Sequence, residues 1–167
     1  KELDKIILQI DNNLGVCEIA NDNSAGQVIL SGHSKSLNEI SKMLKAIKKK
    51  CIMLPVSAPF HSSLMKPAAL KMEVIIKNTH FKNPNIKLVA NVTAKEVHDS
   101  EEIKNLLVKQ IASKVRWRES MLYMIENGVN EFIEIGPGKV LSGLVKRISD
   151  KVSSKSINTI EDIKSLK

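Results

Sequence analysis

The sequence predicts an α/β fold, and three observations carry that prediction. Helical and strand patterns alternate along nearly the whole chain. The 167 residues are 43% hydrophobic and 26% charged, enough apolar material for a packed core and unlike a disordered chain. Turn-forming Asn, Gly and Pro fall at the boundaries between periodic segments. The length allows one domain, or one domain and part of another.

Leu3, Ile6, Ile7 and Ile10 share one helical face, and Asn12-Asn13-Leu14-Gly15 stops that helix. Val16 to Ala20 reads as a strand, Asn21 to Gly26 as a turn-rich loop, and Gln27 to Ser31 as a second strand within hairpin distance of the first. Ser36-Leu37-Asn38-Glu39 has the form of a capping box opening a helix with Leu37, Ile40, Leu44 and Ile47 on one face. Ile52 to Val56 completes the run as a third strand. Residues 1–56 therefore read α-β-β-α-β, an incomplete ferredoxin-like subdomain whose first strand is missing. A chain that begins mid-motif, without an initiator Met, is expected to be a fragment or half of a split gene.

Residues 57–167 form the second part. A helix is expected from about Ser63 to Asn78, with Pro67 in its first turn, and a strand over Ile86–Val92. Ile103, Leu106, Leu107 and Ile111 mark one further helix, and Met121, Leu122, Met124 and Ile125 another. Glu131 to Ile135 is a short strand, Gly136-Pro137-Gly138 a tight turn, and Val140, Leu141, Leu144, Val145 and Ile148 a helix. Ser153 to Lys167 reads as a short strand and a final helix.

Composition narrows the function. Apolar runs are too short for a transmembrane helix, and the first residues given carry no apolar signal-peptide stretch. Cys17 and Cys51 cannot build a disulfide framework, which fits a reduced, cytoplasmic setting. The net charge of +8 is carried almost wholly by lysine. Nucleic-acid modules interleave cations with stacking aromatics or arginine forks, and here the aromatics are few and scattered. A solvated lysine surface or a docking face for an acidic protein fits better than nucleic acid. His33, His61, His80 and His98 show no metal-ligand spacing, so no metal is expected.

Three short motifs bear on chemistry. Gly32-His33-Ser34 resembles the start of a G-x-S-x-G nucleophile elbow, but Ser36 stands where the second Gly must be. A strand end followed by helix-capping serines explains it better than a nucleophilic Ser34. Gly136-Pro137-Gly138-Lys139 opens a helix, but it lacks phosphate-loop spacing and Pro137 removes a backbone donor. His61 sits in Val56-Ser57-Ala58-Pro59-Phe60-His61-Ser62-Ser63: an apolar strand end, a proline turn and an aromatic precede it, and a helix follows. That puts an imidazole at the edge where α/β sites lie.

The His61 stretch is similar to the histidine motif of the malonyl-CoA:acyl-carrier-protein transacylases of fatty-acid synthesis. Further matches follow in family order: Asn21-Asp22-Asn23-Ser24-Ala25-Gly26-Gln27-Val28, Ser31-Gly32-His33, Asn91-Val92, Val115-Arg116-Trp117, and Glu134-Ile135-Gly136-Pro137-Gly138-Lys139-Val140-Leu141. The resemblance covers roughly residues 1 to 150. It implies an α/β-hydrolase-like acyltransferase core with an inserted ferredoxin-like subdomain, of which this chain is the C-terminal half. It also implies ping-pong transfer of malonyl from malonyl-CoA, as substrate and not cofactor, to the phosphopantetheine thiol of acyl carrier protein. On the resemblance, His61 is the base and Gln110 offers the carbonyl that orients it, while Asn21 helps hold the acyl group. Phe60 fills the space that an α-methyl on the substrate would need. The family's nucleophile segment, its malonyl-binding arginine and an early glutamine all lie upstream of the residues present, so the missing N-terminal half is an expected partner. The alternative is a catalytically inactive split or degenerate half that acts as a binding module.

Overall fold

The computed structural model describes residues 2–165. Its first part is α1 (Glu2–Ile7), a 3-10 turn at Asn12–Leu14, the strands β1 (Cys17–Ser24) and β2 (Gln27–Gly32), and α2 (Ser34–Ala46). β1 and β2 form an antiparallel hairpin. The stretch from Asn21 to Ser24, expected as loop, is ladder, and only Ala25-Gly26 makes the turn. Burial explains the difference: Asp22, Asn23 and Ser24 are all buried, and two bulges bend the strand to seat them.

The capping box expected at Ser36–Glu39 does not form. α2 begins three residues earlier, with His33 and not Ser36 at the N-cap. Ser36 is fully buried, and its hydroxyl donates 2.8 Å to the Leu14 carbonyl. A buried hydroxyl must find an acceptor, and the 3-10 turn offers one.

Ile52 to Val56, expected as a third strand, is not one. Among the described residues it pairs with no other strand, and Ile52, Met53, Leu54 and Val56 stay 48–69% exposed. A strand is held by its ladder, so apolar β-formers without one do not make it.

The second part runs through a 3-10 turn at Ser63–Met65, α3 (Lys66–Asn78), β3 (Leu88–Ala90), β4 (Lys95–Val97), α4 (Ser100–Ile111) and α5 (Trp117–Glu126). It ends with β5 (Glu131–Ile135), α6 (Val140–Ile148), β6 (Ser153–Ile157) and α7 (Ile160–Lys164). The strand expected over Ile86–Val92 shrinks to three residues, because the chain turns at Asn91–Ala94 and returns as β4, antiparallel to β3. β5 and β6 pair in parallel with α6 as their crossover, the unit that defines an α/β fold. The final helix is expected to reach Lys167; Leu166 and Lys167 lie outside the described residues.

α5 and α6 pack against β1, α6 also covers β5 and β6, and α3 lies on α4. Ala20, Ile40, Leu106, Met121, Leu144, Val145 and Ile157 are buried among these elements. β1 is fastened to the second part by backbone and by charge. Asp22 N–H donates to the Val115 carbonyl (2.9 Å), and Val115 N–H to the Ala20 carbonyl (2.7 Å). Arg118 then grips Asp22 with two bonds, Nε to Oδ1 at 2.9 Å and Nη2 to Oδ2 at 2.6 Å.

The Arg118 guanidinium holds the Asp22 carboxyl below the usual carboxylate range. A depressed folded value contributes stability that is present above the ordinary carboxylate pKa and lost as pH falls through the folded value. Asp22→Asn is therefore expected to cost on the order of 1–2 kcal/mol at neutral pH, discounted because Arg118 is partly solvated. Urea unfolding of both proteins against pH checks this: the gap should start to shrink below about pH 4 and vanish only at lower pH, once Asp22 is protonated in the folded protein.

Candidate active site

His61 follows Pro59-Phe60 and precedes the 3-10 turn that leads into α3. Its backbone is left-handed, with φ +56°, a conformation that costs a non-glycine residue of order 1 kcal/mol and persists only where neighbours enforce it. Ser62, the next residue, is fully buried and donates from Oγ to the Pro59 carbonyl at 2.7 Å, closing the loop around His61.

The ring is half-buried, and its Nδ1 lies 3.3 Å from the main-chain carbonyl oxygen of Gln110, in the last turn of α4. A carbonyl oxygen can only accept, so the proton sits on Nδ1 and the lone pair is left on Nε2. His33 has the opposite arrangement: its Nδ1 accepts from Val16 N–H at 2.9 Å. That histidine is part of the strand-end joint. A Cβ at Gly32 would stand 2.0 Å from the Val16 carbonyl, and one at Gly15 would stand 2.5 Å from the His33 ring. The Gly32-His33-Ser34 run is thus a close backbone crossing, with Ser34 as the first residue of α2.

The structure brings His61 and Gln110 together. It sets Asn21, half-buried, on β1 opposite Ile29, in a parallel bridge to Val115, five residues beyond Gln110. Phe60 is 49% exposed beside His61. No hydrogen bond joins either of them to His61 among the described residues. An open hollow of about 460 Å³ includes Glu18 and His33 but neither His61 nor Gln110, so it is not the site. Among the described residues no cluster of His, Cys, Asp or Glu could hold a metal ion, and no helix is long and apolar enough to cross a membrane.

No protein-family model matches the chain. It is 40% identical over 98% of its length to the malonyl CoA-acyl carrier protein transacylase of Staphylococcus aureus (strain MSSA476), covering 53% of that protein. The crystal structure of the acyl-carrier-protein S-malonyltransferase from Bartonella henselae superposes with a TM-score of 0.93 at 39% identity, over 98% of this chain and 52% of that one. Over nearly its whole length the chain is similar to one half of malonyl CoA-acyl carrier protein transacylases. It spans about half the length of the transacylases it matches.

Several stretches that carried the sequence resemblance are joints of the fold. Asn91 accepts from Arg116 N–H at 2.9 Å through its side-chain oxygen and donates 3.2 Å to the Lys114 carbonyl. Arg116 donates to the Val92 carbonyl at 2.9 Å and pairs with Glu119, whose carboxyl it holds below the usual range. Glu134 accepts from the amides of Leu141 (3.0 Å) and Ser142 (2.8 Å) at the start of α6, and Gly138 N–H donates to Asn158 at 2.6 Å. The Gly136-Pro137-Gly138 turn has thus spent those donors within the chain, so the structural reading holds over an anion cradle. Sequence reasoning missed Asn91's clasp and the Asp22–Arg118 pair, because their partners lie 25 and 96 residues away and no local pattern announces them.

Proposed function

We propose that the protein acts in malonyl transfer from malonyl-CoA to the phosphopantetheine thiol of acyl carrier protein, with this chain supplying the base. The observation that carries the reading is the contact between His61 Nδ1 and the Gln110 carbonyl, which leaves Nε2 free to take a proton. A serine hydroxyl is a poor nucleophile until a base accepts its proton. In this reading the serine comes from the half of the family's length that the chain does not span. His61 takes the serine proton as the oxygen attacks the thioester carbonyl, and returns it to the coenzyme A thiolate as the carbon–sulfur bond breaks. The same two steps in reverse order deliver malonyl to the carrier thiol. The α4 C-terminus presents partial negative charge to the imidazolium formed in between, in the place a triad carboxylate would take.

Asn21 and Phe60 are assigned to the acyl pocket, Asn21 as a polar contact and Phe60 as the ring that excludes an α-methyl group. Residues 1–56 act as the small ferredoxin-like subdomain and 57–167 as part of the α/β-hydrolase-like core. The carrier partner is supported by a relative of known structure, a type II PKS acyl-carrier protein in complex with its malonyl-transacylase, which matches at 34% identity and TM-score 0.91 over 98% of this chain and 53% of that one. Carrier proteins of this pathway are acidic, and a chain of net charge +8 would steer them. The part of the transacylase length that the chain does not span would find surfaces to meet: Ile133 and Ile135 on β5 are 45% and 83% exposed, although parallel strands are ordinarily covered on both faces.

The test is a hybrid in which residues 1–167 replace the matching half of the Staphylococcus aureus transacylase. Malonyl transfer by the folded hybrid is expected, and a folded but inert hybrid would overturn the reading. Because the acceptor is main chain, Gln110→Ala in that hybrid should keep transfer within about three-fold of the parent, well short of the loss expected for a general base.

A further inference from the structure

His61's loop is braced from outside by a residue that nothing else in the site uses. Glu18 lies on β1, 45 residues before Ser63, and its Oε2 accepts the Ser63 backbone N–H at 2.6 Å. This amide is the first of the 3-10 turn that opens into α3, an end where backbone donors lack partners within the helix. The side chain of an N-cap residue, here Ser62, ordinarily accepts from an amide further into the first turn, N2 or N3, and leaves this one open. Ser62 makes no such cap; its hydroxyl is committed to the Pro59 carbonyl on the other side of His61. The loop therefore has two ties. One is internal, Ser62 to Pro59, and the other is the Glu18 carboxylate reaching across from the hairpin.

We infer that Glu18 is a positioning residue for His61. Three features require an external tie. His61 is held at φ +56°, a conformation that costs energy for any residue with a side chain, histidine included, and needs neighbours to hold it. The ring must meet the Gln110 carbonyl at 3.3 Å, so a small shift of the loop breaks the contact that fixes the tautomer. The helix end that follows has no cap of its own. A charged acceptor on a backbone N–H is among the stronger hydrogen bonds a protein makes, and this one links the loop to the strand that also carries Asn21. No hydrogen bond joins Glu18 to the His61 ring among the described residues. Its contribution is geometric, and it rests on the reading of His61 as the base.

The test uses the active hybrid with Glu18→Ala, Glu18→Gln and His61→Ala, read by steady-state kinetics and by hydrogen exchange at the Ser63 amide. Glu18→Ala is expected to lower kcat by roughly ten-fold or more at nearly unchanged KM, the scale for a misplaced catalytic group. It should also speed exchange at Ser63 by roughly ten-fold or more, the value of a charge-assisted hydrogen bond. Glu18→Gln keeps an acceptor of the same length and should restore both readouts to within about three-fold of the parent, which a general loss of folding would not allow. If His61→Ala abolishes transfer while Glu18→Ala leaves kcat and Ser63 exchange at parental values, the positioning role is wrong. The role is equally overturned if Gln and Ala are impaired alike. If Glu18→Ala exposes Ser63 while His61→Ala leaves transfer intact, the brace stands and the assignment of His61 as base falls.

Discussion

His61→Ala in the active hybrid is expected to slow malonyl transfer by roughly a hundred-fold or more, the scale for loss of a general base. Both half-reactions should fall if, as proposed, the same imidazole removes the proton from the incoming nucleophile and supplies it to the leaving group. The fall should appear in kcat, since the ring is not assigned to substrate binding. The measurement separates chemistry from folding. His61 occupies a left-handed backbone position that alanine also adopts only with strain, so thermal unfolding of the variant is followed alongside, and transfer is compared at a temperature where both proteins are folded. His61→Asn offers a second check, because it retains a side-chain donor for the Gln110 carbonyl and supplies no base. It should be as slow as alanine. Transfer by His61→Asn near the parental rate would remove the proton-transfer role and leave His61 as a loop residue.

How much of this was readable from sequence depends on what each residue answers to. Helices α3 to α6 have apolar faces at 3.6-residue spacing, so their periodicity is local and visible. Ile52–Val56, expected as a strand, differs for the converse reason. Its residues have every local preference for a strand, and strand formation depends on a neighbour that composition does not reveal. The Asn21–Ser24 stretch erred the other way: its turn-forming residues are pulled into the ladder by burial of Asp22 and by the reach of Arg118 from 96 residues downstream. At the site, His61 could be singled out from the proline turn and the following helix. The main-chain character of the Gln110 contact could not, because a backbone carbonyl leaves no mark on residue type. Glu18 was silent for a related reason: on a strand it reads as an ordinary charged residue, and only the fold shows which amide it meets.

Residues 1–167 alone, incubated with malonyl-CoA, are expected to gain no covalent malonyl group. Acylation needs a hydroxyl whose oxygen can reach the thioester carbonyl while its proton meets a base. Ser34 is the serine whose sequence context most resembles a nucleophile, and its surroundings argue against it. The elbow that presents such a serine is a strained strand-to-helix turn with a glycine two residues on, whereas Ser36 stands there, fully buried and bonded to Leu14. The neighbouring imidazole, His33, already uses Nδ1 to accept from Val16 and makes up the N-cap of α2. Ser62 adjoins His61, but it is fully buried and its hydroxyl donates to Pro59. The +8 charge could still bring anionic coenzyme A to the surface, so binding without acylation is compatible with this expectation. Intact-mass spectrometry after incubation reads the outcome directly. A stoichiometric malonyl adduct that survives in His61→Ala and disappears in Ser34→Ala would show that this half carries its own nucleophile, and would replace His61 with a different base. An unmodified mass, alongside transfer by the hybrid, locates the nucleophile in the other half and leaves the proton to His61.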